Sequence, residues 1–284
     1  MSNSPPTYGD LGKPARDVFD KGYDFPKVKL SLKTKTESGV EFDTSGSHDL
    51  EKSRTTGQLK TKLKFPDYGV TFSESWSTAA EIDSELVYEP SAVAGLKLTL
   101  GSALVPTSGF RQARLKAGYR RDYVSLDGDV DLRVNGPIFR GSAVFMYNGW
   151  YAGYQMAYNT SNTKLEANNV AGGYQGSDFT VHGSLMNAAD CTTSVHHKVS
   201  DKTEVGLLTT YNWQTSNVSL GLAGKYVMDD GAVMKTKVNN QGQIGVSYAQ
   251  DLRSGVKLTL SGMLEGRNVQ AGGHKFGLAL DFES

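Results

Sequence analysis

The sequence predicts an all-β transmembrane barrel of about 19 strands with a short amphipathic helix ahead of them. Three observations predict it. Apolar and polar residues alternate with a period of two from Lys27 to the end of the chain. Each alternating run is about nine residues long and ends in Gly, Asp, Asn or Ser. The one stretch that follows a helical period lies before the first run. A strand's side chains alternate between its faces, so a period of two cannot be an amphipathic helix.

The first run, Lys27–Lys35, sets Val28, Leu30 and Leu32 on one face, and Lys27, Lys29, Ser31, Lys33 and Lys35 on the other. Leu59, Leu63 and Phe65 oppose Lys60, Lys62 and Lys64; Leu96, Leu98 and Leu100 oppose Lys97 and Thr99. Val124, Leu126, Val130, Leu132 and Val134 face away from Asp127, Asp129, Asp131 and Arg133. Near the end, Val256, Leu258 and Leu260 oppose Lys257 and Thr259, and Phe276, Leu278, Leu280 and Phe282 oppose Lys275, Asp281 and Glu283. At roughly 13 to 14 residues per strand and turn, residues 26–284 hold about 19 units, give or take one or two.

A soluble sandwich would alternate too. Its strands are usually nearer five or six residues, however, whereas nine to eleven match a tilted crossing of the bilayer. Aromatics also gather near the strand ends, at Trp76, Tyr119, Tyr147, Trp150, Tyr158, Tyr211, Tyr226 and Tyr248, as in the girdles of membrane barrels. Mean hydropathy is −0.40. No run approaches the roughly 18 apolar residues of a membrane helix, a test that barrels escape because only alternate residues meet lipid. The start, MSNSPPTYGDLGK, has neither the apolar core of a secretory signal nor an Arg-rich presequence, which argues against a secreted bacterial porin. Cys191 is the single cysteine, so no internal disulfide is expected.

Lys plus Arg equals Asp plus Glu at 30 each, so total charge names no partner. Placement is more informative. If the apolar face meets lipid, the polar face lines a lumen bearing Lys29, Lys33, Lys60, Lys62, Lys97, Arg114, Lys116, Arg120, Lys225, Lys235, Lys237 and Lys257, with fewer acids among them. A low-dielectric wall focuses that field and should favour anions. Over Thr7–Lys21, Leu11, Ala15 and Val18 share one helical face opposite Lys13, Arg16, Asp17 and Asp20, suggesting a plug or gate against the lumen wall. Pro14 sets the start of that helix or kinks it. Glu74 breaks the pattern by sharing the apolar face with Val70, Phe72 and Trp76. A carboxylate facing lipid is costly, which marks a regulatory or partner-contact site.

Enzyme chemistry has little support. His196 and His197 point to opposite faces, and His48, His182 and His274 lack ligand-like spacing, so neither metal nor cofactor is expected. GxxxxGK[ST] and GxSxG are both absent.

Several stretches are more specific than composition: residues 5–13, 15–19 and 95–98, Gly149-Trp-Tyr-Ala-Gly-Tyr-Gln-Met156, Lys235-Thr-Lys-Val-Asn-Asn240 and residues 268–275. In these the chain resembles the eukaryotic voltage-dependent anion channels, the mitochondrial porins, over essentially its full length. The resemblance implies a barrel of 19 strands, the family's own count, with first and last strands parallel and the helix inside the pore. It implies an N-terminal segment over 1–25 and a barrel over 26–284. It also implies a voltage-gated, weakly anion-selective channel passing ATP, ADP, phosphate and other metabolites across the mitochondrial outer membrane. Lys13, Arg16, Asp17, Lys21, Lys97, Lys116 and Lys257 are then expected as pore or nucleotide contacts. Leu11 and Gly22 are expected as gating and hinge positions, and Glu74 as the lipid-facing site. Hexokinase, apoptosis regulators and a second copy are the implied partners, with no nucleic acid among them. Where the family has a glycine-rich link after the helix, this chain reads Gly22-Tyr-Asp-Phe-Pro26, which puts a freely swinging helix in question. A protein-import barrel would share the architecture but want an acidic lumen, and a soluble β-rich binding protein would fail to resist carbonate extraction.

Overall fold

Nineteen strands form one sheet that closes on itself. In this computed structural model residues 4–106, 109–133, 136–267, 270 and 272–283 are described. The strands in chain order are β1 (Lys27–Lys35), β2 (Glu41–Asp49), β3 (Arg54–Phe65), β4 (Val70–Ser77), β5 (Ile82–Tyr88), β6 (Leu96–Val105) and β7 (Phe110–Arg121). There follow β8 (Val124–Leu132), β9 (Ile138–Tyr147), β10 (Trp150–Asn159), β11 (Lys164–Gln175), β12 (Phe179–Met186) and β13 (Asp190–Lys198). The barrel is completed by β14 (Thr203–Asn212), β15 (Asn217–Val227), β16 (Val233–Asn239), β17 (Gln243–Arg253), β18 (Val256–Glu265) and β19 (Lys275–Glu283). Every strand pairs antiparallel with its sequence neighbours, and β1 pairs parallel with β19. Oddness forces that seam: in an up-and-down meander of odd number, the first and last strands run the same way. Val134, Asn268, Val269 and Ala271, on which the sequence reading draws, lie outside the described residues.

The two faces separate as the alternation requires. Val28, Leu30 and Leu32 are 41%, 52% and 45% exposed, on the outside of the barrel. The seam keeps the pattern, since these three stand beside Leu278, Leu280 and Phe282. On the inner face, Ser31 donates a hydrogen bond to Asp281 across the same seam. A closed sheet leaves no unpaired edge in lipid, where each unsatisfied backbone group costs several kcal/mol. Tight reversals join the strands. Between β9 and β10, Asn148 (φ 48°) and Gly149 (φ 85°) both take positive φ, the two-residue turn that matches strand twist.

Two clusters of buried apolar residues sit inside the lumen, where the N-terminal segment meets the wall. The helical period runs across Thr7–Lys21; the structure divides that stretch. A 3-10 turn occupies Tyr8–Asp10, and helix α1 spans Lys13–Asp20. Gly12 breaks the two apart at φ 68°, and Pro14 falls in the first turn of α1, where its missing N–H costs nothing. Leu11, Ala15 and Val18 are each 2% exposed and Phe19 is buried with them. Phe19 lies one helical turn after Ala15, so it belongs to the same stripe.

Candidate functional site: the lumen and its docked helix

Helix α1 rests on β13, β14 and β15, and the 3-10 turn rests on β9 and β10. Leu11 packs with Val144, Tyr151 and Ala171, with Tyr8 beside it. Val18 and Phe19 pack with Ala223 and Leu208. Glycines make room for these contacts. A Cβ on Gly153 would stand 3.0 Å from both Leu11 Cδ1 and Tyr8 Cδ2, and one on Gly221 would stand 2.9 Å from Phe19 Cε1. Gly12 lies against the His182 ring, where a Cβ would come within 2.6 Å. His182 stacks on Tyr151 at 6.1 Å between centroids, and the Tyr151 hydroxyl lies 3.2 Å from His182 Nδ1. Nothing in the sequence singles out that pair, because an isolated histidine and an isolated tyrosine carry no spacing signal.

The charges of the segment divide into two groups. Arg16 is turned back on its own chain: Nη1 donates to Leu11 O at 2.6 Å and Nη2 to Gly9 O at 2.5 Å. Lys13 pairs with Asp10 at 3.2 Å and Lys21 with Asp17 at 2.7 Å, and both lysines stay exposed to the lumen. The Thr7 hydroxyl donates to Asp10 at 2.6 Å and holds that carboxyl below its ordinary range, helped by Lys13. Burial against the wall raises the Tyr8 phenol. Lys13, Asp17, Lys21, Lys225 and Lys235 line a recess of about 620 Å³ between helix and wall.

The opposite wall, β1 to β7, lies bare. Lys33, Lys35, Lys60 and Lys62 line one recess there with Glu41, Asp43 and Glu283. Glu41 pairs with Lys64 at 2.6 Å and reaches Lys62 at 3.9 Å. Lys97 and Lys116 line a second recess of about 580 Å³ with Arg120 and Arg140, and Lys97 pairs with Glu89 at 3.1 Å. Asp131, 0% exposed, is held by Arg114, Arg133 and Arg140 and accepts from Gln112. Lys257 stands apart from these recesses, in register with Asp251 and Asp281 on the far side of the seam. Asp83 and Glu85 also face the lumen, beside Lys60, Arg114 and Lys116. The sequence pattern does not place those acids in the lumen, so its excess of positive charge is smaller than expected.

Glu74 does share the outer face with Phe72 and Trp76, and Trp76 is exposed. Its cross-strand neighbours are Thr61 and Ser84, and Ser84 is paired in turn with Ser102. The carboxylate thus sits in a polar band crossing β3 to β6. Such neighbours ease the cost of a charge against lipid, and read strand by strand they look like unrelated single polar residues.

A barrel with a charged lining inside and an apolar exterior is a membrane architecture, and the sequence comparison fixes which one. The eukaryotic porin family model matches residues 4–277. This chain belongs to the eukaryotic porin family. It is 44% identical to the pig and human proteins named non-selective voltage-gated ion channel VDAC1, over 99% of this chain and 99% of each relative. It is equally similar to the Xenopus laevis protein named non-selective voltage-gated ion channel VDAC2. As a eukaryotic porin the chain is a membrane β-barrel and a channel rather than an enzyme. No group of three or more metal-ligating side chains is assembled among the described residues.

Proposed function

We propose that this eukaryotic porin is a voltage-gated, weakly anion-selective channel for ATP, ADP, phosphate and other small metabolites and ions in the mitochondrial outer membrane. The observation that carries this reading is the closed barrel whose lysine-bearing wall, β1 to β7, is left open to water. Similarity along the whole chain to proteins named voltage-gated ion channels supports the gating. Lys13, Arg16, Asp17, Lys21, Lys97, Lys116 and Lys257 are proposed as pore or nucleotide contacts, with Asp10 placing Lys13 and Asp17 placing Lys21. Leu11 and Gly22 bracket the element proposed to gate.

Planar-bilayer recording tests the reading. The purified protein should show large conductance at low voltage, closure at either polarity, and anion preference when open. Cation preference in the high-conductance state would overturn the electrostatic argument. A fractionated cell should hold the chain in mitochondrial outer membranes, resistant to carbonate.

Glu74 is proposed as the contact for a membrane-bound partner, whether hexokinase, an apoptosis regulator or a second copy. Glu74→Gln should abolish carbodiimide labelling and weaken partner recruitment while leaving single-channel conductance unchanged, because the side chain lies outside the lumen. Equal recruitment by the native protein and the Glu74→Gln variant would remove Glu74 from that role.

A further inference from the structure

The rear of helix α1 is gripped by the wall in a way no helical pattern reveals. A helix ends with backbone carbonyls that have no partner within it, and they carry partial negative charge. Here two lysines on β16 add donors at that end, where Asp17 O already accepts from Lys21 N–H at 3.3 Å. Lys235 Nζ donates to Lys21 O at 2.9 Å and to Asp17 O at 3.3 Å. Lys237 Nζ donates to Phe19 O at 2.7 Å. The same ammonium lies 4.1 Å from the Tyr23 ring centroid and 5.6 Å from that of Phe25, so aromatic faces flank it. Beside them Ser247 Oγ donates to Gly22 O at 2.6 Å.

We propose that Lys235 and Lys237 are the positioning residues that set the resting place of α1, clamping its C-terminal end and the Gly22 link to the wall. This rests on the channel reading above and specifies which residues hold the element proposed to gate. The front of the segment is held differently, by apolar contact of Leu11 and Tyr8 over Gly153. Hydrogen bonds from charged donors are stronger than neutral ones, and these act just ahead of Gly22, whose own carbonyl accepts from Ser247. Displacement of the segment therefore begins at its front, with Gly22 fixed until the clamp opens. The period-two pattern places both lysines on the lumen face, where they count only as pore charge.

Thiol labelling reads the clamp directly. Val18 is 2% exposed against the wall, and cysteine is close to it in size, so Val18→Cys in a Cys191→Ser background reports docking. With the clamp intact, a water-soluble maleimide should label this position slowly. Adding Lys235→Gln and Lys237→Gln should speed labelling about tenfold or more, from the loss of charged donors. In the bilayer the double variant should close at lower voltage, a readout that a merely structural lysine would not move. Lys237→Arg, with Lys235 native, should restore slow labelling. If the double variant does not insert, each single Gln variant and Ser247→Ala are measured instead. Labelling no faster in every variant that forms pores overturns the proposal. A native protein that forms no voltage-gated pore would remove the channel reading, yet the labelling comparison would still decide the clamp.

Discussion

Leu11→Ala should leave the barrel folded and loosen the segment inside it. Leu11 is buried among Val144, Tyr151 and Ala171, so truncation opens a hole that the surrounding sheet cannot close. Leu→Ala changes at buried sites cost about 2 to 5 kcal/mol. The whole cost falls on docking, because the 19 strands close through their own backbone pairing and do not depend on the helix. Even about 2 kcal/mol shifts a docked-to-undocked ratio by roughly thirtyfold. The expected result is an unchanged heat-unfolding midpoint for the sheet, read by far-ultraviolet circular dichroism. Residues 4–20 should become sensitive to protease added from the water side, and the channel should close at lower voltage. Leu11→Met, which conserves volume, should behave like the native chain. Equal protease resistance of the Ala and native forms would mean that the apolar contact does not hold the segment.

Reversing charge on the bare wall should have the second large effect. Lys29, Lys33, Lys60 and Lys62 lie on the inner face of β1 and β3, away from the docked helix. Changing all four to Glu replaces every one of these positive charges with a negative one. The margin of basic over acidic groups there is modest once Asp83 and Glu85 are included, so the sign of selectivity should reverse. In a salt gradient the reversal potential should change from anion- to cation-preferring. The change should be larger at about 0.1 M salt, where the screening length is roughly 10 Å, than at about 1 M, where it is roughly 3 Å. Lys52, which sits in the turn before β3, serves as the control: changed to Glu, it should shift the potential much less. A selectivity unmoved by the four wall changes would place its origin on the helix.

Much of this architecture is legible because two solvents impose it. Lipid on one side and water on the other demand alternation, and runs such as Val28-Lys29-Leu30 display it without any partner strand in view. An odd count then requires the parallel seam of β1 with β19. Pro14 marks the start of α1, and the outward position of Glu74 follows from Phe72 and Trp76. What stays hidden depends on residues far apart in the chain. Gly153, Gly206 and Gly221 read as ordinary strand glycines, and only the folded barrel shows Leu11 and Phe19 seated against them. Lys235 and Lys237 look like pore charges until the helix end is found beneath them. Arg16 looks like a lumen contact, yet its guanidinium is spent on the carbonyls of Gly9 and Leu11. In β5, seven residues long, too short a run leaves the inward turn of Asp83 and Glu85 unmarked.

The claim beneath all of this is that β1 shows one face to lipid and the other to water. Single cysteines placed along β1 in the Cys191→Ser protein, reconstituted in bilayers, test it most directly. Cysteine at positions 29 and 33 should react with a charged, water-soluble thiol reagent and change the pore current. Cysteine at positions 28, 30 and 32 should react only with a lipid-soluble reagent and leave the current unchanged. The reverse pattern, or reaction of both sets with the charged reagent, would contradict the account.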